Sequence, residues 1–269
     1  MSADTGRKAT RWALAGLCTL IGLWLILPLA VIVPISFSGE DSFAFPPQSW
    51  TLARYANLVT PQWTQALLNS LVVALLVAGL CAVLGTLAAF AIVRSHSRAM
   101  VALRLLILAP QVVPIIIVGL GVYLVFLGWQ LTGTVSGFVI AHAALSLPFV
   151  VIPVAASLQT FDRSLERASA SLGAAPVATF FQVTFPIIRP AILSGTLLAF
   201  LGSFDELVLA LFLQSPTFVT LPVLLYRRMT DTIDPTIAAV ATIQLGFVIA
   251  CVIVALVLER RRAAGTKAG

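Results

Sequence analysis

Charged residues are scarce in this chain, and their scarcity argues against most classes of soluble protein. Only 10% of the 269 residues are charged and 60% are hydrophobic, whereas a typical soluble domain carries about 25% charged residues. A soluble protein of this length cannot hide so much apolar surface, because it needs a polar exterior. A water-soluble enzyme, a disordered chain and a disulfide scaffold are therefore disfavoured, and lipid is the predicted solvent for most of the protein.

Residues that commonly build metal, nucleotide or cofactor sites are also few or scattered. The three cysteines lie far apart in separate apolar runs, and the two histidines have no metal-ligand spacing. No Gly-x-x-x-x-Gly-Lys-Ser/Thr string is present, so the chain lacks this phosphate-binding loop. The net charge of +6 falls in short clusters between apolar runs rather than along one face. We therefore expect no catalytic residue, metal, cofactor or nucleic-acid partner.

Six apolar runs are long enough to cross a bilayer, whose hydrocarbon core needs about 20 residues of helix. The runs are continuous rather than alternating, which favours helices over strands, and lipid also requires internally satisfied backbone groups. The sequence therefore predicts an all-α membrane protein with six transmembrane helices in one domain over residues 1–269. The predicted spans are residues 12–36, 66–93, 105–127, 135–157, 191–213 and 236–258.

The distribution of basic residues predicts the orientation of the chain. Of the 16 Lys and Arg residues, only Arg54, Arg227 and Arg228 lie in segments that face outward when the N-terminus is cytoplasmic. This bias follows the positive-inside rule, so both termini are expected on the cytoplasmic side. The first apolar run exceeds the core of a signal peptide, which is about 7–15 residues long, and we interpret it as a retained anchor.

The long inner segment, residues 158–190, is unlike the other connections. Residues 162–172 have helical character, because Asp162 or Ser164 can cap the start and Gly173 can end the helix. Small residues in the middle of this helix allow another surface to approach closely. Two interpretations fit the spacing: the helix covers the ends of the membrane helices, or it presents a knob to a partner.

Prolines predict breaks in several of these elements. A second amphipathic piece over residues 177–185 is expected to end at Pro186 and Pro190, before the fifth span. Pro110 and Pro114 lie inside the third span, where they free carbonyl groups and permit a kink.

Segment 158–190 resembles the EAA loop of permease subunits in bacterial ABC importers, whose consensus is Glu-Ala-Ala, three residues, Gly, nine residues, Ile, one residue, Leu-Pro. The Gly and Pro register is intact, while Arg167 replaces Glu, Ser169 replaces Ala and Glu166 stands one residue early. The matching string is Arg167-Ala168-Ser169, Gly173, then Val183, Phe185 and Pro186. Other residues follow in an order similar to that of spermidine/putrescine-type permeases: Ser49 to Leu52, Tyr55, Asn69-Ser70, Arg94, Pro110, Pro114, His142, Pro148-Phe149, Gly202 to Glu206 and Ser215-Pro216.

This resemblance implies the MetI-like permease architecture and a subunit without an ATPase of its own. The implied partners are a second homologous permease, two ATP-binding subunits and an external solute-binding protein, assembled in the bacterial inner membrane. Glu166 either supplies the carboxylate that position 167 lacks or faces water. The residues implied to couple to an ATP-binding subunit are Leu165, Glu166, Arg167, Ala168, Ser169, Leu172 and Gly173.

Two adjacent acids, Asp205 and Glu206, are the only acidic residues within the predicted spans. A charge inside the membrane is unfavourable unless it is paired or hydrated, so it marks a functional site by default. Adjacent helical residues point about 100° apart, so we expect one acid, with Glu206 favoured, to line a substrate pathway. Asn69, Tyr123 and His142 lie at similar depth. These polar groups either contact a substrate amine or hold the helices together.

The resemblance and the acids together predict half of the translocation path for a small cationic solute, with a polyamine such as spermidine or putrescine expected. An alternative within the same class is import of an opine, an amino acid derivative or an aminophosphonate. Two other hypotheses are an intramembrane enzyme that uses Asp205, Glu206 and His142, and an ion carrier. No catalytic motif supports the enzyme, and a carrier leaves the inner helix unexplained.

Overall fold

The computed structural model describes residues 2–95, 97–232 and 234–265. Within this described part the backbone is helical, apart from loops and two isolated bridges, Ser38 with Trp50 and Ser215 with Phe218. Two π-helical turns cover Phe180–Thr184 and Arg228–Thr232. The helices are α1 (Ser2–Ser36), α2 (Ala53–Asn57), α3 (Pro61–Arg94), α4 (Arg98–Val112), α5 (Ile115–Gly128), α6 (Val135–Gln159), α7 (Ser164–Ser171), α8 (Pro176–Thr179), α9 (Phe185–Phe204), α10 (Val208–Leu213), α11 (Leu221–Arg227) and α12 (Thr236–Gly265).

The helices divide into two compact units. The first unit contains Met1–Trp63 and Leu225–Gly269, and the second is Thr64–Leu224. Within the first unit α12 packs against α1 and α2, and the Asn57 side-chain amide donates to Thr236 Oγ1 at 3.4 Å. Every candidate functional residue from the sequence lies in the second unit.

The helices cover most residues of the six predicted spans, but some of these spans are divided between two helices. Four stretches among the described residues are long and apolar enough to cross a membrane, and the bent pair α4 and α5 makes a fifth if it counts as one span. The sixth predicted span falls on α12, where the apolar stretch is Thr236–Ala250. The six-span count therefore stays a prediction. The four stretches are Arg11–Ser36, Pro61–Arg94, Val135–Gln159 and Pro176–Phe204.

The predicted third span, residues 105–127, is not one straight helix, and it breaks beside Pro114, one of the two prolines expected to permit a kink. Its axis turns by 110° between α4 and α5. Pro114 explains the break, because its ring disfavours helical geometry at the preceding residue. Val113 is accordingly extended, with φ −79° and ψ 135°, and Pro114 immediately precedes the first residue of α5.

The predicted fifth span, residues 191–213, differs from the structure at both ends. Helical structure begins at Pro176 and continues without a break to Phe204. The helix then stops over residues 205–207, and α10 starts afresh at Val208. The predicted span therefore starts too late and misses an internal break.

The expectation that Pro186 and Pro190 end the second amphipathic piece is also wrong. Pro186 lies in the first turn of α9 and Pro190 lies inside it. A proline ring in an α-helix clashes with the carbonyl four residues earlier and leaves that carbonyl without its usual donor. The π-helical turn Phe180–Thr184 lies directly before Pro186, and its wider i to i+5 geometry accommodates the proline without ending the helix.

The core of the second unit forms where α6 packs against α9, the most extensive helix pair in this unit. Gly195 lets the two backbones approach, because a Cβ there would lie 2.7 Å from the Phe149 carbonyl oxygen and 2.8 Å from Val150 Cα. Protein interiors are closely packed, so a substitution that leaves a cavity or introduces a steric clash lowers stability. The largest fully buried apolar side chains of the unit include Phe138, Val150, Ile188, Leu209 and Leu213.

Substituting Gly195 with alanine is expected to lower the thermal unfolding temperature of the detergent-solubilised chain. The added methyl group meets backbone atoms that cannot rotate away, and overpacking of this kind costs about 1–3 kcal/mol. Gly79→Ala is the matched control, since a Cβ at Gly79 meets nothing within 4 Å and alanine is the better helix former. Equal unfolding temperatures for the two variants would contradict the close packing of α6 and α9.

Candidate functional site

The helix predicted within segment 158–190 forms as α7, with both ends set by local interactions. At its start the Asp162 carboxylate accepts hydrogen bonds from the Ser164 N–H at 2.8 Å and from the Ser164 hydroxyl at 2.7 Å. These bonds lower the pKa of Asp162. At its end Gly173 has φ +86°, and its N–H donates to the Ala170 carbonyl at 2.9 Å. A further bond from the Ala174 N–H to the Ser169 carbonyl at 3.2 Å completes a Schellman motif.

The side chains of α7 divide into an outer face and an inner face. Leu165, Arg167, Ala168 and Leu172 are exposed, and Leu172 is 89% exposed although it is apolar. Leu165, Ala168 and Leu172 have the spacing of one helix face, and exposed apolar side chains on one face are typical of a contact surface. We call these four residues the outer face of α7.

The inner face of α7 is bound to the rest of the second unit through Glu166 and Ser169. Glu166 forms an ion pair with Arg94 at the end of α3 and accepts a hydrogen bond of 2.5 Å from Thr184 Oγ1. The Ser169 hydroxyl lies 3.0 Å from Thr179 Oγ1. The Glu166 side chain, only 19% exposed, therefore does not simply face water, and its role toward an ATP-binding subunit stays a prediction.

The protonation state of Glu166 follows from these contacts. Burial raises the pKa of Glu166, but hydrogen bonds from Thr184 and Arg94 and the positive charges of Arg94 and Arg163 outweigh it. The net pKa lies below the usual value, so the carboxylate is ionised at neutral pH and the link to Arg94 is intact there. Arg94 is also held by Phe90, whose ring centroid lies 4.8 Å from the guanidinium carbon.

A second candidate site lies between the two helix breaks of this unit. A cavity of about 400 Å³ falls within the range of about 300–1,000 Å³ that is typical of small-molecule sites. We call it the Glu206 cavity. Its walls come from the bend between α4 and α5, from α6, and from the break between α9 and α10. The lining residues are Pro110, Gln111, Val113, Ile115, His142, Leu145, Ser146, Phe149, Gly202, Ser203 and Glu206.

The helix break separates the two adjacent acids. Glu206 is half-buried and lines the cavity, and its Oε1 accepts a hydrogen bond of 3.0 Å from the Leu209 N–H. The carboxylate therefore satisfies a backbone donor at the start of α10 that has no carbonyl partner within that helix. Asp205 is exposed and does not line the cavity.

His142 is buried, with 1% of its surface exposed. Its Nδ1 lies 3.1 Å from Ser203 Oγ, which joins α6 to α9. Its Nε2 is buried and has no hydrogen-bond partner among the residues that the structure describes. An unsatisfied buried polar atom typically costs about 1–3 kcal/mol.

The other two predicted pathway residues lie outside this cavity. Asn69 is buried and bonded on both sides: its amide donates to the Val219 carbonyl at 2.9 Å, and its Oδ1 accepts from Gln65 at 3.0 Å. The Tyr123 ring packs against Phe212 with 6.3 Å between ring centroids. The structure thus places Glu206 and His142 on the wall of one cavity, and the pathway roles of all five predicted residues stay predictions.

Comparison with known proteins identifies the family. A model of the family described as "Binding-protein-dependent transport system inner membrane component" matches residues 81–263. The chain belongs to this family. The permease is therefore a multi-pass protein of the inner membrane and a transport subunit, and its resemblance to importer permeases is confirmed.

Individual relatives agree with the family. The permease is 34% identical over 233 residues, 84% of its length and 83% of the relative's, to the putrescine transport system permease protein PotI of Escherichia coli K12. It is 27% identical over 254 residues, 93% of its length and 95% of the relative's, to the spermidine/putrescine transport system permease protein PotC of the same strain. These matches cover nearly the full length of each relative.

A solved structure agrees with the fold. The crystal structure of a bacterial ABC transporter involved in the import of the acidic polysaccharide alginate superposes with a TM-score of 0.69 at 17% identity, covering 97% of the permease and 98% of the compared chain. The predicted fold class, an all-α membrane protein with the MetI-like architecture of ABC importer permeases, is confirmed.

Several site residues of the permease were missed by sequence reasoning. Gln111 and Ser146 line the Glu206 cavity, and each is a polar residue inside an apolar run, which was the available signal. Thr184, which binds Glu166, was identified only as part of an amphipathic piece. Arg94 was noted in a motif, but its pairing with a residue 72 positions away has no local signature.

Proposed function

We propose that the permease forms half of the translocation path of an ABC importer for a polyamine such as putrescine or spermidine. The observation that carries this proposal is the 34% identity to PotI over 84% of the permease, since PotI is named for putrescine transport. The permease has a carboxylate beside a cavity of suitable size, at Glu206. A carboxylate is the side chain that attracts a solute whose charges are all positive.

The proposed complex contains a second homologous permease, two ATP-binding subunits and an external solute-binding protein. The outer face of α7 would contact an ATP-binding subunit, because its exposed Leu165 and Leu172 leave an apolar surface uncovered. Glu166 and Ser169 would instead hold α7 to the permease itself, so that motion of the partner reaches the membrane helices as a rigid-body shift. In this proposal both termini and α7 lie on the cytoplasmic side, in agreement with the positive-inside rule.

The permease and its partner subunits, expressed together in cells that lack their own polyamine uptake, test this function directly. We expect ATP-dependent uptake of radiolabelled putrescine or spermidine that unlabelled polyamines suppress. The control is the same complex with an ATP-binding subunit that cannot hydrolyse ATP, which should take up nothing. Suppression by an opine, an amino acid derivative or an aminophosphonate in place of polyamines would contradict the proposed substrate, and uptake without ATP hydrolysis would contradict the proposed class.

A further inference from the structure

We propose that a groove between α4 and α6 binds an anionic phospholipid, with the Arg104 guanidinium on the lipid phosphate and an acyl chain along the apolar wall. We call it the Arg104 groove. It has a volume of about 190 Å³, and its walls include Ile92, Arg104, Leu108, Ile152, Ala156 and Gln159. This site goes beyond the proposed function, and it rests on the proposed orientation only for the choice of the cytoplasmic leaflet.

The order of polar and apolar residues along the groove matches that of a phospholipid. Arg104 lies just before the predicted third span, and Gln159 lies just beyond the predicted fourth span. Leu108 is about one turn further along α4, and Ile152 is about two turns back along α6. The cationic and amide groups therefore lie at the boundary of the membrane, where lipid phosphates are found, and the aliphatic side chains lie at the depth of the acyl chains.

The charge of Arg104 lacks a counter-ion within the part of the chain that the structure describes. Arg104 is exposed and takes part in neither of the ion pairs found there. The two acids of the neighbouring inner segment are already engaged, because Asp162 binds the start of α7 and Glu166 pairs with Arg94. A phosphate group supplies the missing charge, and the planar guanidinium matches its oxygen atoms in two parallel hydrogen bonds.

Two further groups add hydrogen-bond donors or positive charge near this end of the groove. The exposed side-chain amide of Gln159 offers two N–H donors. Arg163 donates to the Val93 carbonyl at 3.5 Å, and Val93 is adjacent to Ile92 of the groove wall. Positive charge at the membrane surface attracts anionic lipids, whereas the quaternary ammonium group of a zwitterionic lipid would be repelled by it.

The apolar wall of the groove distinguishes a lipid from a soluble anion. Ile152 is 51% exposed and Ala156 is also exposed, and with Gln159 they have the spacing of one face of α6. A soluble phosphate compound would leave this wall uncovered, while a phospholipid covers the wall and binds the cation together. The groove is also smaller than the roughly 300–1,000 Å³ of small-molecule sites, which suits a lipid that inserts only part of itself.

The test is photo-cross-linking in lipid nanodiscs that hold the assembled transporter. The probes are phosphatidylglycerol, which has a net negative charge, and phosphatidylcholine, which has none, each with a photoactivatable acyl chain and at the same low mole fraction. Mass spectrometry identifies the labelled peptides. We expect phosphatidylglycerol to label α4 and α6 at the groove at least about fivefold more than phosphatidylcholine, the preference that one arginine near the surface provides. Excess glycerol phosphate, a soluble anion, should leave this labelling unchanged.

The key variant is Arg104→Gln, which keeps a hydrogen-bond donor but removes the charge. We expect its labelling by phosphatidylglycerol to fall about fivefold, close to that by phosphatidylcholine. Arg98→Gln is the matched control, because Arg98 is exposed on the same helix and does not line the groove, so its labelling should stay near the wild-type amount. Ala156→Trp fills the apolar wall without a change in charge and should lower labelling by both lipids.

Several outcomes would overturn this site. Equal labelling of the wild-type groove by the two lipids would do so, and so would equal losses in Arg104→Gln and Arg98→Gln. Competition by glycerol phosphate would assign the cation to a soluble anion instead. No lipid labelling of α4 and α6 in the assembled transporter would mean that a partner chain covers the groove. Should Arg104→Gln fail to assemble, the two lipids on the wild-type protein and the Ala156→Trp variant decide the question.

The site and the proposed function fail separately, because the labelling needs neither solute nor ATP. A transporter that imports no polyamine but shows the lipid preference keeps the site and loses the proposed solute. Normal polyamine uptake without any lipid preference removes the site alone.

Discussion

Replacing Gly173 with valine is expected to abolish solute uptake while ATP hydrolysis by the partner subunits continues. Gly173 has φ +86° and ends α7 in a Schellman motif. A β-branched residue is strained at positive φ, and even the left-handed helical region costs an ordinary L-residue about 1–2 kcal/mol. A shift of that size changes a conformational equilibrium about five- to thirtyfold. The chain would leave α7 in another direction and displace the outer face from its partner.

A steric clash is not the cause of this expected effect, because a Cβ built at Gly173 meets no atom of the permease within 4 Å. Gly173→Asn is therefore the informative control, since asparagine tolerates positive φ, and it should keep most of the uptake. The measurements are radiolabelled uptake and ATPase activity of the same reconstituted complex, with membrane insertion checked by quantitative blotting. Normal uptake by Gly173→Val would contradict the coupling role of α7.

The variant Arg94→Glu is expected to reduce uptake nearly as severely, and a charge swap should restore part of it. In Arg94→Glu two carboxylates face each other, so α7 loses its tie to α3 and gains a repulsion. In the double variant Arg94→Glu with Glu166→Arg the opposite charges meet again. Removal of one partner of a charged hydrogen-bonded pair typically costs several kcal/mol when the pair is buried. The cost is smaller for this pair, because the Arg94 side chain is 41% exposed and solvent screens its charge.

Uptake by the two single variants and the double variant forms a double-mutant cycle. Arg98→Glu is the matched control, because Arg98 is exposed near the same end of the bundle and the substitution changes the net charge equally. The link should also be insensitive to pH between about 6 and 8. The pKa of Glu166 is lower in the folded protein than in the unfolded chain. The ionised Glu166 side chain therefore contributes its full stabilisation at any pH above the unfolded pKa of about 4.3. That stabilisation is lost only as the pH falls through the folded pKa. A double variant no better than Arg94→Glu would contradict the pairing.

Local chemistry made parts of this structure predictable from the sequence. Asp162 and Gly173 were identified as the ends of α7 because capping and positive φ depend on residues within one helical turn. Adjacent helical residues point about 100° apart, so only one of the two acids is expected to line a pathway, and Glu206 rather than Asp205 lines the cavity. In the structure, however, the two acids are separated by a break in the helix that the sequence does not predict.

The features that the sequence does not predict depend on contacts between residues distant in sequence, or on packing that keeps a helix intact where local preferences would end it. The pairing of Glu166 with Arg94 joins residues 72 positions apart, which no periodicity reveals. The continuous helix from Pro176 to Phe204 is not predicted by the sequence, because prolines usually end helices and the π-helical turn that accommodates Pro186 has no sequence signature. Asn69 is placed with the pathway residues by depth alone, and its hydrogen bonds to Val219 and Gln65 join residues that the sequence pattern does not pair.

The uninterrupted helix Pro176–Phe204 behaves mechanically as a lever arm. Its 29 residues span about 44 Å at 1.5 Å per residue. Thr184, the contact of Glu166, lies about 12 Å from the first residue, and Ser203, the contact of His142, lies at the other end. Tilting such an arm by about 10° about one end displaces the far end by about 8 Å. A small swing imposed at α7 would thus be magnified at the wall of the Glu206 cavity.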